Sequence, residues 1–268
     1  MDNMFVQELD GRPLTIADMP RLMALQYGHF TAMQVRQRQV KGLRLHLERL
    51  ASSSRQLFGC QLPEQHIIDC LHQITQEQES CSLRVNIFTV AFGQPVIREK
   101  DLQVLITKTP AVEPAAHPLK VKSARFKRLL PEIKYSGIVS GILAYRRKAM
   151  AAGFDDVIYI DEQQHISEGA IWNVGFYDGQ SIVLPATPAL PGIMVQLLSD
   201  SLWTNGMAVI HRNISLSQLH EYKSVFYTNS VNHRGMITQI DQHMFEHSND
   251  TLSDILERAY EAVPWDNL

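Results

Sequence analysis

The first half of the chain alternates between hydrophobic patterns typical of strands and of helices. Apolar residues recur at helical spacing from Leu43 onward and predict a helix that ends at Phe58-Gly59, because glycine readily takes the left-handed conformation that closes a helix. A second helix is predicted over residues 64–76. Runs rich in Val, Ile and Phe predict strands over residues 4–9, 30–35, 83–90 and 102–107.

The second half repeats this mixture after a proline-rich stretch. Residues 108–118 contain three prolines and predict a linker. Beyond it, the patterns predict strands over residues 119–126, 157–161, 172–177, 182–184, 225–228 and 236–240, and helices over residues 135–153, 192–205 and 252–262. No glycine-rich turn follows the first strand, which argues against a dinucleotide-binding sheet. We therefore predict an α+β fold with an N-terminal domain over residues 1–108, an interdomain linker over 109–118 and a C-terminal domain over 119–268.

Composition and charge narrow the class of protein. With 45% hydrophobic residues among 268, the chain can bury a core, and its net charge of -3 and pI near 6.4 argue against a dedicated nucleic-acid binder. No apolar run approaches the roughly 18 residues of a membrane span, and the first residues lack the pattern of a signal peptide. The three cysteines have no Cys-x-x-Cys spacing and are expected to be reduced. We expect a cytoplasmic protein that binds no nucleic acid, no membrane and no metal.

Two charged residues stand out by their apolar surroundings. Lys134 lies between Ile133 and Tyr135, where desolvation would make its amine more nucleophilic. Glu168 lies among small and apolar residues and precedes Gly169, so it would need a partner if buried. The local pattern alone favours a solvated lysine and a turn glutamate.

Two further features suit an anion such as a phosphate group. Residues 190–194 open a predicted helix with the sequence Leu-Pro-Gly-Ile-Met, and the first N–H groups of a helix point toward an anion placed at its start. Arg49 lies between Leu47 and Leu50 on the first predicted helix. Its side chain either borders the core or binds an anion.

Taken in order, these pieces resemble the class IV aminotransferases, which are fold-type IV pyridoxal-phosphate (PLP) enzymes. The stretches that carry the resemblance are Gly28-His29-Phe30-Thr31, His46-Leu47-Glu48-Arg49-Leu50, Ile133-Lys134, Ile166-Ser167-Glu168-Gly169 with Asn173, Leu190-Pro191-Gly192-Ile193 and Thr228-Asn229-Ser230. They span nearly the whole chain. The resemblance implies a fold like that of D-amino acid aminotransferase, with a smaller N-terminal α/β sandwich domain and a larger C-terminal PLP-binding domain that carries the Schiff-base lysine.

The resemblance also implies a role for each candidate residue. Lys134 would hold the cofactor as a Schiff base and serve as the catalytic base, and Glu168 would pair with the pyridine nitrogen. The phosphate group would be bound by Arg49 and by two backbone segments, which are Gly192-Ile193-Met194 and Asn229-Ser230. The family is usually dimeric, so a homodimer is expected.

The resemblance leaves the reaction open. Gly192-Ile193-Met194 and Thr228-Asn229-Ser230-Val231 look more like 4-amino-4-deoxychorismate lyase, which releases pyruvate and yields 4-aminobenzoate for folate biosynthesis. Those lyases usually carry an asparagine and an arginine where this chain has Gly137 and Ile138, and often an arginine at Val195. The alternative is a class IV aminotransferase acting on D- or branched-chain amino acids. A third reading is a PLP-binding relative with lost catalysis.

Overall fold

The computed structural model describes residues 5–76, 80–115, 117–245 and 250–268, so Met4 of the first predicted strand and Ala116 of the predicted linker lie outside it. The contacts of the described residues divide the chain into two compact units. Unit 1 comprises the described residues within Met1–Val112, Ile133–Ile138 and Pro264–Leu268, and unit 2 comprises those within Glu113–Glu132 and Val139–Val263. Lys134 therefore belongs to unit 1 and Glu168 to unit 2.

Unit 1 is built on a five-stranded antiparallel sheet with the strand order β2-β1-β6-β5-β3. With elements numbered in chain order, unit 1 contains the strands β1 (Val6–Leu9), β2 (Arg12–Pro13), β3 (Gly28–Val35), β4 (Gln39–Val40), β5 (Cys81–Thr89) and β6 (Leu102–Pro110), and the helices α1 (Met19–Leu22), α2 (Leu43–Phe58) and α3 (Glu64–Thr75). β4 pairs with the last strand of the chain, β16 (Asp266–Asn267).

The two faces of this sheet differ in character. Met33 of β3 and Leu83 of β5 are buried in one core with apolar residues of α2 and α3. Side chains alternate between the two faces along a strand. Phe30, Arg84 and Asn86 therefore lie on the opposite face, which carries polar groups.

Unit 2 is built on a nine-stranded mixed sheet with the order β12-β11-β10-β13-β14-β7-β8-β9, in which β15 also pairs with β14. Its strands are β7 (Leu119–Arg125), β8 (Asp156–Ile160), β9 (Ile166–Gly169), β10 (Asn173–Tyr177), β11 (Ser181–Pro185), β12 (Ala208–Arg212), β13 (Ser224–Thr228), β14 (Gly235–Ile240) and β15 (His243–Met244), and its helices are α4 (Val139–Ala151), α5 (Ile193–Thr204) and α6 (Asp250–Ala262). Leu198 of α5 and Leu256 of α6 pack in one core with Phe226 of β13. Among the described residues, no helix combines the length and the apolar character needed to span a membrane.

Most predicted elements are confirmed, with one informative shift. α2 ends at Phe58, and Gly59 follows it with a φ of 70°. The helix predicted from Tyr135 begins later, at Val139, after a 3-10 turn over Ser136–Ile138. The cause is that the backbone before this turn pairs with β3, where Tyr135 forms a β-bridge with His29.

The sequence pattern does not predict β9 and β12. β9 places the polar Ser167 and Glu168 in buried positions, and β12 is an exposed edge strand, so neither shows the usual alternation. β6 continues to Pro110, into the predicted linker, and the contacts separate the units after Val112. The units also differ from the predicted domains because residues 133–138 and 264–268 make their contacts with unit 1. The domain boundaries at residues 108 and 119 stay a prediction.

Candidate functional site

Glu168 is a buried carboxylate on β9 with a cationic partner. Its side chain is 5% exposed, and its Oε1 accepts a hydrogen bond from Nε of Arg128 at 2.8 Å. Its Oε2 accepts the backbone N–H of Leu190 at 3.3 Å. Because an unpaired buried carboxylate is strongly destabilising, these two donors are what allow a glutamate to occupy this position.

The residues that follow Glu168 fix the end of β9. A Cβ atom at Gly169 would lie 2.1 Å from the Trp172 ring, so only glycine fits there. Trp172 is itself buried, and its Nε1 donates to Oδ2 of Asp156 at 3.1 Å. Burial raises the pKa of Asp156. The sequence Glu-Gly-x-x-Trp thus holds the glutamate against the neighbouring strand β8.

The start of α5 presents backbone donors rather than side chains. Its N-cap residue, Gly192, provides no side-chain cap, and the first N–H groups of a helix, here those of Ile193 and Met194, have no partner within the helix. Asn173 donates from Nδ2 to the carbonyl of Leu190 at 2.7 Å, and a Cβ atom at Gly192 would lie 1.9 Å from its Oδ1. Glycine therefore lets the helix start pack closely on Asn173 and leaves the backbone open to a ligand.

Asn229 folds the loop that follows β13. Its Oδ1 accepts two backbone N–H groups of the loop at 2.9 Å each, and its own N–H donates to the carbonyl of Asn232 at 2.8 Å. Thr228, the last residue of β13, is paired in the sheet with Asn173, which places the loop next to the start of α5. Because Asn229 is engaged within the loop, we expect any phosphate contact from this predicted pair to come from Ser230.

Lys134 lies alongside β3 in unit 1. Its carbonyl accepts the N–H of Phe30 at 2.9 Å. Its side chain is partly buried, and Nζ lies 5.1 Å from the centre of the Phe30 ring. A cation at this distance is attracted to the ring face, so Phe30 holds the lysine at both its backbone and its side chain.

The same aromatic ring also contacts Arg84. The guanidinium carbon of Arg84 lies 3.7 Å from the centre of the Phe30 ring, and burial lowers the pKa of this arginine. Its Nε donates to Oδ1 of Asn86 at 3.1 Å, and Nδ2 of Asn86 donates to Oγ of Ser136 at 3.4 Å. These three polar residues line a cavity of about 370 Å³ in unit 1 together with Gln7, Leu25, Gln26, Leu105 and Thr107. Arg84 is the charged residue among those lining residues.

Arg49 is partly buried on α2, and two buried histidines fasten this helix to β3. Nε2 of His29 lies 2.8 Å from Oγ of Ser54, and Nδ1 of His46 lies 2.6 Å from Oγ1 of Thr31. Burial lowers the pKa of both histidines to about 3, and the charge of Arg49 adds to this effect at His46. Both histidines are therefore neutral at pH 7. Neither of them adds a positive charge to that of Arg49.

Each unit contains some of the predicted site residues. In unit 2, Leu190 links Glu168 to the start of α5, and Asn173 links that helix start to the loop with Asn229 and Ser230. In unit 1, the elements that carry Lys134 and Arg49 are both tied to β3.

Sequence reasoning misses three polar residues of this arrangement, which are Arg128, Asn86 and Ser136. Arg128 is one of three basic residues in the sequence Arg125-Phe126-Lys127-Arg128, and nothing in this stretch distinguishes it from the other two. For Asn86 a signal does exist. It alternates with apolar residues on β5 in the same way as Arg84, which would have placed both on the polar face of the sheet.

Comparison with known proteins gives the family. The family model for amino-transferase class IV matches residues 28–240, which include every predicted site residue. The chain belongs to the class IV aminotransferase family. Members of this family depend on PLP, and the α+β architecture of the chain is that of the fold-type IV PLP enzymes. The predicted family, fold class and enzyme class are confirmed.

Individual relatives show how far the similarity extends. Branched-chain-amino-acid aminotransferase 1, mitochondrial, from Arabidopsis thaliana is 31% identical over 94 residues, which are 34% of this chain and 24% of that protein. The match thus spans about a quarter of that relative's length.

Two solved structures share the fold over most of the chain. A structure assigned as a 4-amino-4-deoxychorismate lyase of Legionella pneumophila has a TM-score of 0.80 at 20% identity, covering 90% of this chain and 92% of that chain. A branched-chain aminotransferase of Thermoproteus uzoniensis, solved with norvaline, has a TM-score of 0.83 at 17% identity, covering 96% of this chain and 94% of that chain. At these identities the likeness shows the fold, which the lyase and the aminotransferase have in common.

The residues of this chain fit PLP when each unit is considered by itself. In unit 2, the helix start at Gly192 has no side-chain cap and no room for a Cβ atom, as expected where a backbone binds a phosphate group. The buried carboxylate of Glu168 suits a protonated ring nitrogen. In unit 1, Lys134 supplies an amine from the segment beside β3, and Arg49 supplies a cation from α2.

Proposed function

We propose that the chain removes a proton from the amine-bearing carbon of a small carboxylate-containing substrate, with Nζ of Lys134 as the base. The observation that carries this proposal is that Lys134 and Arg84 contact the same ring, that of Phe30. An amine and a carboxylate-binding cation are therefore held on one rigid side chain. PLP, when bound, supplies the carbonyl that joins the substrate amine and the ring that withdraws electrons from the adjacent carbon.

The remaining residues bind and orient. We assign the phosphate group to the N–H groups of Ile193 and Met194 and to Ser230 in unit 2, and to Arg49 in unit 1. Glu168 holds a proton at the pyridine nitrogen, which keeps the ring electron-poor. Arg84 pairs with the substrate carboxylate and thereby turns the amine-bearing carbon toward Lys134.

4-Amino-4-deoxychorismate lyase is the first candidate for the overall reaction. Its support is the sequence of the two phosphate segments, Gly192-Ile193-Met194 and Thr228-Asn229-Ser230-Val231, which resemble those of the lyases. In this reaction Lys134 takes the proton from the amine-bearing ring carbon, and the enolpyruvyl group leaves as pyruvate. The remaining ring becomes aromatic as 4-aminobenzoate. A cytoplasmic homodimer acting in folate biosynthesis belongs to the same proposal.

A class IV aminotransferase is the second candidate, and a specific observation favours it. Arg84 is the charged residue among those lining the cavity of unit 1, which suits a substrate with a single carboxylate. The lyase substrate carries two carboxylates. The polar residues that lyases usually place after the lysine are replaced here by Gly137 and Ile138. A D- or branched-chain amino acid would need only the one cation.

Product analysis separates the two reactions. The PLP-loaded protein is incubated with aminodeoxychorismate, and 4-aminobenzoate and pyruvate are measured. In parallel, D-amino acids and branched-chain amino acids are offered with a keto acid acceptor, and the new amino acid is measured. Formation of either product supports the proposed proton removal and names the reaction. A protein that binds PLP but yields neither product would contradict it and would favour a relative with lost catalysis.

A further inference from the structure

Arg128 forms an unusual ion pair with Glu168 in unit 2. Arg128 comes from the segment after β7 and Glu168 from β9, and their side chains are 4% and 5% exposed. The contact runs through Nε of Arg128 at 2.8 Å from Oε1. Nη1 of Arg128 is buried and has no hydrogen-bond partner among the described residues. The guanidinium is thus buried with one of its hydrogen-bond donors, Nη1, lacking a partner among the described residues.

Stability alone does not explain this pair. Buried ion pairs contribute little, and apolar residues of similar volume are often as stable or more so. A buried donor without a partner adds a further cost. The presence of Arg128 at this buried position therefore points to the charge that it brings to Glu168.

The geometry leaves one oxygen of Glu168 available. Oε1 is occupied by Arg128, whereas Oε2 has a single long contact of 3.3 Å with the N–H of Leu190. A carboxylate oxygen can accept more than one hydrogen bond. Oε2 therefore keeps the capacity to accept a further donor, such as a ring N–H.

Tyr159 on β8 is a further titratable group that interacts electrostatically with this pair. Its hydroxyl is buried without a hydrogen-bond partner among the described residues. Burial raises the pKa of Tyr159, and the negative charges of Asp156 and Glu168 raise it further. Tyr159 is therefore a neutral phenol near pH 7. Because a phenol is never a cation, the charge of the carboxylate is compensated by Arg128.

We propose that Arg128 is a positioning residue that keeps Glu168 charged and directs its Oε2 to the pyridine nitrogen of PLP. This inference rests on the proposed function, in which Glu168 holds a proton at that nitrogen. Without Arg128, the buried carboxylate would take up a proton itself. A neutral carboxyl group, like an amide, would no longer keep the ring nitrogen protonated.

The charge coupling can be measured in the apoprotein with Arg128→Met, Glu168→Gln and the double variant. Arg128→Met leaves the carboxyl group of Glu168 buried without its cationic partner. Whether that group stays charged or takes up a proton, the folded state loses stability, so the unfolding equilibrium constant is expected to rise on the order of 100-fold. The double variant removes both charges and is expected to recover most of this loss. Effects that simply add in the double variant would overturn the coupling.

The role toward PLP is tested by the absorption spectrum of the bound cofactor as a function of pH. We expect Arg128→Met to give the spectrum and pH profile of Glu168→Gln, and Arg128→Lys, which keeps the charge, to restore those of the unchanged protein. Arg147→Met is the matched control, because Arg147 is an exposed arginine on α4. An Arg128→Met protein that is less stable but keeps the unchanged spectrum at every pH would reduce Arg128 to a structural residue and overturn the proposal.

These experiments also distinguish this inference from the proposed function. If the unchanged protein binds no PLP, the proposed function fails, whereas the apoprotein variants still report whether Arg128 and Glu168 are coupled. If PLP binds and only the spectral equivalence of Arg128→Met and Glu168→Gln is absent, the role of Arg128 fails and the proposed function stands.

Discussion

Arg49 is the residue at which cofactor binding and folding can be separated. It is partly buried on α2, and the two hydrogen bonds that His46 and Ser54 of this helix make with β3 do not involve its side chain. Because those bonds remain in Arg49→Ala, we expect this variant to fold and to lose about 1.5–3 kcal/mol of phosphate binding, which corresponds to roughly a tenfold to hundredfold weaker PLP affinity.

A PLP titration of Arg49→Ala, together with thermal unfolding of its apoprotein, checks this expectation. Arg55→Ala is the control, since Arg55 is exposed in the last turn of the same helix. An unchanged PLP affinity in Arg49→Ala would show that this arginine does not bind the phosphate group.

The contact between β3 and α2 makes the stability of unit 1 dependent on pH. His29 and His46 have a pKa of about 3 in the folded chain because they are buried, whereas an unfolded histidine titrates near 6.5. Acid therefore favours the unfolded chain, and the stability present above about pH 6.5 is lost as the pH falls toward 3. At pH 5 the loss is about 2 kcal/mol for each histidine.

Unfolding free energies measured between pH 7.5 and 5 test this dependence. His29→Gln and His46→Asn replace each ring by an amide that keeps a polar atom near the bonded nitrogen, and both are expected to flatten the pH profile. His72→Gln is the control, because His72 is exposed on α3. A profile that stays equally steep in both test variants would assign the acid sensitivity to other groups.

The start of α5 supports a prediction about backbone space. In Gly192→Ala, the new Cβ atom would lie 1.9 Å from Oδ1 of Asn173, so the asparagine must leave the carbonyl of Leu190. We expect a stability loss of about 1–3 kcal/mol and a PLP affinity weaker by about tenfold.

Gly141→Ala provides the control for this variant, because its Cβ atom would approach no atom closer than 3.9 Å, at Phe126. Both proteins are compared by PLP titration and thermal unfolding. If Gly192→Ala retained PLP as well as Gly141→Ala does, the phosphate group would have to bind elsewhere.

Elements set by local rules follow from the sequence, and elements set by distant contacts do not. The end of α2 at Phe58 is predictable because Gly59 itself supplies the left-handed residue. The late start of α4 is not, since it depends on pairing between Tyr135 and His29, more than a hundred residues earlier. The roles of the candidate residues follow from resemblance to a family, whereas the role of Arg128 follows from its three-dimensional contact with Glu168.

At the scale of the whole molecule, the chain passes between its two units more than once. It leaves unit 1 after Val112, returns at Ile133, leaves again after Ile138 and returns at Pro264. The short segment with Lys134 is thereby held by β3, in the first part of the sequence, although it follows the proline-rich stretch. No local feature of the segment predicts this placement, because it results from pairing with a strand about a hundred residues earlier in the sequence.

Chemical trapping tests directly whether Lys134 is the residue to which PLP becomes attached, as we propose. The PLP-loaded protein is reduced with borohydride, which makes the bond between the lysine and the cofactor permanent, and is then digested and analysed by mass spectrometry. Lys148→Ala serves as the control and Lys134→Ala as the test, since Lys148 is exposed on α4. We expect a pyridoxyl group on the peptide that contains Lys134, in the unchanged protein and in Lys148→Ala, and its loss in Lys134→Ala. A pyridoxyl group on another lysine, or an unchanged yield in Lys134→Ala, would contradict it.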